Sequence, residues 1–150
     1  MDYLYRNLSI YADPNDNLII FPTGESPKRE GATVILNSPI QLLYPYTDEE
    51  LEKSIYKAMD LCFSIIPDDE DKTTPIEKFL NIKGYSRAVK ERRLIFFFWN
   101  VDEGYIITPS QKIPRQGYSS IDKKEFRLGM NPKEGGIAKA IREAMKLSTP

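Results

Sequence analysis

The run Leu94-Ile95-Phe96-Phe97-Phe98-Trp99 is apolar at six consecutive positions, and a chain that carries it has few ways to fold. Side chains on a strand alternate between the two faces of a sheet, so an unbroken apolar run needs cover on both sides. Aromatic and β-branched residues also fit a pleated sheet better than a helix. The run is therefore predicted to be a central strand. Asp102-Glu103-Gly104 makes a tight turn into Tyr105-Ile106-Ile107-Thr108, which completes a hairpin.

Upstream, Tyr3 to Tyr11 alternates imperfectly, Asp13-Pro14-Asn15-Asp16-Asn17 reads as a turn, and Leu18-Ile19-Ile20-Phe21 resumes a strand. Thr23 to Gly31 lacks apolar periodicity and reads as an exposed loop before a third strand over Thr33 to Leu36. Thr47 and Glu50 form a capping box, with Asp48, Glu49 and Glu50 in a first turn where the helix dipole favours negative charge. The helix that follows puts Leu51, Ile55, Ala58, Met59 and Cys62 on one face and is expected to run to about Cys62. Thr73 or Thr74 caps a second helix with Pro75 in its first turn and Ile76, Phe79 and Leu80 on its buried side. A further helical turn is expected over Tyr85 to Lys90. Pro109 to Gly117 reads as a loop, Phe126-Arg127-Leu128 as a strand, and Gly136 to Leu147 as a closing helix. The expected fold is α+β: one domain over residues 1–150, a mainly antiparallel sheet of about five strands packed with about three helices.

Two of those helices read alike. Leu51, Ile55, Ala58, Met59 and Leu61 recur 86 residues later as Ile137, Ile141, Ala144, Met145 and Leu147, and Ile40 and Leu42 align with Phe126 and Leu128 at the same offset. Each copy is thus a strand-like segment followed by a helix. An old duplication gives this pattern. Convergent amphipathic helices give it too, because alanine, leucine, lysine and methionine all favour helix.

Composition narrows the chemistry. There is no histidine, so the commonest general base at neutral pH is missing, and an enzyme would have to use carboxylates, lysine, tyrosine or one thiol. That thiol, Cys62, falls on the buried face of its helix and is expected to be inert. With a single cysteine there is no internal disulfide, and the N-terminal residues lack the pattern of a signal peptide, so a cytoplasmic location is expected. No stretch is long and apolar enough to span a bilayer, so no membrane partner is expected. No Gly-x-Ser-x-Gly elbow or spaced glycine loop occurs, and no cofactor is expected. The net charge of −1 conceals an asymmetry: residues 1 to 71 hold 5 Lys and Arg against 14 Asp and Glu, and residues 72 to 150 hold 16 against 8. Such a split points to electrostatic choice of a partner, unless the two halves fold together and their fields cancel.

The segment Pro75-Ile76-Glu77-Lys78-Phe79-Leu80-Asn81-Ile82-Lys83-Gly84-Tyr85-Ser86, followed by Tyr105-Ile106-Ile107-Thr108-Pro109 and then Gly117-Tyr118, resembles a family of bacterial contact-dependent growth inhibition immunity proteins. The resemblance covers roughly residues 34 to 148, and the helices over Thr47 to Cys62 and Gly135 to Ser148 both look like the family's closing helix. It implies a non-catalytic cytoplasmic protein that binds and neutralises a cognate toxin. That toxin is the C-terminal domain of a large secreted contact-dependent inhibition protein, often a nuclease, and it is blocked at its active site or substrate surface. No catalytic residue carries over.

A nuclease holds phosphates with Lys and Arg, so its inhibitor is expected to meet it with carboxylates. The toxin-binding residues expected here are Tyr46, Asp48, Glu49, Glu52, Tyr56 and Asp60, with the acidic run Asp68, Asp69, Glu70 and Asp71; the tyrosines, Tyr44 among them, serve as aromatic anchors if exposed. Two other readings stay open. The basic half could hold RNA through Arg87, Lys90, Arg92, Arg93, Lys123, Lys124 and Arg127, although in the immunity reading no nucleic acid is bound. Asp68 to Asp71 could serve a metal-assisted hydrolase, although consecutive carboxylates are a poor match to a calcium loop.

Overall fold

The structure, a computed structural model, describes residues 4–68 and 71–150. The run at Leu94 lies within β5 (Arg93–Asn100), an inner strand of a seven-stranded antiparallel sheet. Its neighbours are β1 (Tyr5–Ala12) and β6 (Gly104–Thr108). Outside β1 lies β2 (Leu18–Ser26), which is long enough to pair twice: its first residues with β4 (Ile40–Leu42), its last with β3 (Ala32–Ile35). Outside β6 lies β9 (Phe126–Gly129). A separate hairpin pairs β7 (Ser110–Ile113) with β8 (Gly117–Ser120).

Both faces of the sheet are covered, as the apolar run requires. Leu8, Ile10, Phe97 and Ile107 face α1 (Asp48–Leu61) and α4 (Gly136–Leu147), whose Leu51, Ile55, Ile137 and Ile141 complete the larger core. The opposite face carries Tyr11, Ile19, Phe21 and Leu94 against α2 (Pro75–Leu80) and α3 (Tyr85–Ala88), through Ile76, Ala88 and Val89. Phe79 lies on the exposed side of α2, not the buried side, because so short a helix packs through Ile76, with Leu80 partly buried beside it.

The α+β class agrees with the sequence; the strand count is higher than expected. Thr23 to Ser26 continues β2 where a loop was expected, and Ser110 to Ile113 is a strand inside the expected Pro109–Gly117 loop. Both segments are too polar to show a buried face, and each is ordered by its partner strand.

The two halves of the chain share one plan of three sheet strands, an outlying hairpin and a helix. β1, β2, β4 and α1 build the first, β5, β6, β9 and α4 the second, and α2 and α3 lie between them in sequence. The register repeats: Gly24 pairs with Val34 and Glu25 with Thr33, and 86 residues on, Ser110 pairs with Ser120 and Gln111 with Ser119. Side-chain chemistry repeats as well. Arg6 donates to the carbonyl of Met59, and Arg93 to that of Met145. Cys62 and Ser148 each donate to the carbonyl four residues back, on Ala58 and Ala144. The halves join where β1 pairs antiparallel with β5 across eight residues, which relates them by an approximate twofold axis.

The β1–β2 turn is held by Asp13, whose carboxylate accepts from the amides of Asn15 (2.8 Å) and Asn17 (2.9 Å) and from the Asn17 side chain (3.0 Å). Partial burial pushes this carboxyl up, but the hydrogen bonds from Asn17 and Asn15 outweigh it and hold it below the usual carboxylate range. A depressed folded pKa stabilises above the unfolded value of about 4, and that contribution is lost as pH falls through the lower folded value. Thermal melts between pH 2 and 5 are expected to show a steeper acid loss for the wild type than for Asp13→Asn. Parallel curves would remove Asp13 from the account.

Candidate functional site

The expected binding residues gather mainly on α1. Its start is fixed by the capping box: Thr47 Oγ1 accepts from the Glu50 amide and Glu50 Oε1 from the Thr47 amide, each at 3.0 Å. Those bonds hold the Glu50 carboxyl below its usual range. Along the helix, Asp48, Glu49, Tyr56 and Asp60 are exposed. Asp48 accepts from Arg142 Nε at 2.9 Å and Asp60 from Arg6 at 3.3 Å, while Glu49 has no partner among the described residues. Burial pushes the Tyr105 hydroxyl up, and the neighbouring Tyr56 hydroxyl adds to the shift.

Two of the expected residues are structural. Tyr46 is 7% exposed and belongs to the larger core, so it is not a surface anchor. Its hydroxyl donates to the Asp16 carbonyl (2.9 Å), the Arg142 guanidinium lies 5.0 Å from its ring centroid, and burial pushes its pKa up to about 12. The chain turns inward there because both ends of the tyrosine find partners. Tyr44, two residues earlier, stays outside and sets its ring edge-on against that of Tyr46.

Glu52 is half-buried and turned towards α4. Its carboxylate accepts from the amides of Gly135 (3.1 Å) and Ala138 (2.9 Å), closing the start of the second helix from the side of the first. The N-terminal amides of a helix have no intrahelical acceptor, and no side chain of α4 caps them. This carboxylate supplies the acceptor and also suits the helix dipole. Nothing in the sequence around Glu52 signals that role, because its partner lies more than eighty residues away.

The acidic run lies elsewhere. Asp68 and Asp71 line an open groove of about 720 Å³ with Tyr11, Phe21, Ile66, Ile76 and Tyr85, on the face of the sheet opposite α1. Asp71 pairs with Lys78 and accepts from the Thr73 amide at 2.9 Å; its carboxyl is held low, chiefly by Lys78. Asp69 and Glu70 lie outside the described residues. Asp68 and Asp71 therefore do not share a surface with the α1 face. Among the described residues no group of three or more metal-ligating side chains gathers, and the acidic run is described only at its ends.

Of the basic residues of the RNA reading, Arg92, Arg93 and Arg127 are engaged within the fold, while Arg87, Lys90, Lys123 and Lys124 are exposed. Arg93 donates to the carbonyls of Met145 and Asp13, each at 3.0 Å, and to Asp16 Oδ1 at 2.5 Å. Arg127 is clamped between Glu103 (2.7 Å) and Glu125 (2.6 Å), and Arg92 Nε donates to the Ala88 carbonyl. The three arginines build turns and helix ends, and the exposed four are scattered over α3, its following turn and the turn before β9, so the structure lends that reading no support. Cys62 is buried, as its helical phase predicted, and burial pushes its thiol up. No helix among the described residues is long and apolar enough to cross a membrane.

No protein-family model and no curated protein sequence matches this chain. Among solved structures it is similar to a protein of unknown function from Neisseria meningitidis, with a TM-score of 0.71 and 15% identity over 99% of both chains. It is also similar to a chain of a CdiA-CT/CdiI toxin and immunity complex from Yersinia pseudotuberculosis, with a TM-score of 0.70 and 12% identity over 97% of this chain and 98% of that one. At such identities the likeness is one of fold, and it extends over almost the whole chain in both cases.

Proposed function

We propose that this chain is a non-catalytic immunity protein, which binds a toxin domain delivered by contact from neighbouring cells and neutralises it in the cytoplasm of the cell that makes both. The observation that carries this reading is the full-length fold likeness to a chain of a toxin and immunity complex. The resemblance read from the sequence points the same way. The toxin is a nuclease in this reading. A domain that grips phosphates presents Lys and Arg, and the first half of this chain, with 14 acidic residues against 5 basic, supplies the opposite charge. Asp48, Glu49, Tyr56 and Asp60 on α1 meet that basic surface and cover the active site or the path of the substrate.

Growth is the test. Cells expressing the toxin domain encoded immediately upstream of this chain are expected to stop growing. Cells that also express the chain are expected to recover, and the two proteins to co-purify. Arrest without rescue, or rescue without a complex, would sink the reading.

A further inference from the structure

We draw no further inference here: the strongest candidate, the open groove between β3 and α2, carries both signs of charge at its rim, Arg29 and Lys72 against Asp68 and Asp71, and nothing in the structure shows what covers it.

Discussion

Phe97→Ala is expected to destabilise the protein by about 4 kcal/mol, the usual cost of emptying a large aromatic site in a packed core. Phe97 has no exposed surface and faces both long helices. It is paired with Leu8 on one side and Ile107 on the other, and its ring meets that of Tyr105 edge-on, with centroids 5.9 Å apart. Strands and helices from both halves of the chain converge on this residue, so the cavity cannot close by moving one element. Phe96, one position along, points to the other face, is half-buried and stacks on Phe98. Phe96→Ala is accordingly expected to cost roughly half as much. Urea unfolding followed through Trp99 measures both, and equal midpoints for the two variants would show that the faces are not packed as described.

Glu52→Lys is expected to cost about 3 kcal/mol, because it removes two charge-assisted hydrogen bonds to the start of α4 and puts a cation where the helix dipole is positive. In a chain of this size that corresponds to a fall in melting temperature of roughly 10 °C. Glu49→Lys, three residues away on the same helix and exposed, loses only its favourable place at the helix dipole and is expected to cost about 1 kcal/mol, a fall of a few degrees at most. The pair therefore separates folding from recognition. A loss of toxin affinity at Glu49→Lys reports the interface, whereas a loss at Glu52→Lys reports a displaced α4. Unchanged melting of Glu52→Lys would mean that another group caps the helix.

Elements with a local signal were legible in the sequence. The capping box at Thr47, the apolar run of β5 and the amphipathic face of α4 each encode themselves within a few residues, and each lies where it was expected. The hairpin of β7 and β8 and the far end of β2 have no such signal, since their side chains are mostly polar and only the partner strand makes them strands. Tyr46 and Glu52 look like neighbours on one acidic, aromatic surface. Their true partners are Asp16 on one side and Gly135 and Ala138 on the other, and a contact across the chain leaves no trace in local composition. Charge and spacing thus placed these residues on one helix, while the division between its structural and its exposed residues had to come from the fold.

The seam between β1 and β5 also governs how the protein comes into being. Its eight pairs join residues 5–12 to residues 93–100, so the contact that unites the halves is among the longest-range in the chain, and such contacts close slowly. On the ribosome, the first half emerges with the inner edge of β1 unpaired and the α4-facing side of α1 bare until most of the chain has been made. Translation therefore passes through a stage in which a sticky strand edge is exposed, and the nascent chain depends on rapid completion or on a chaperone to keep that edge from other partners.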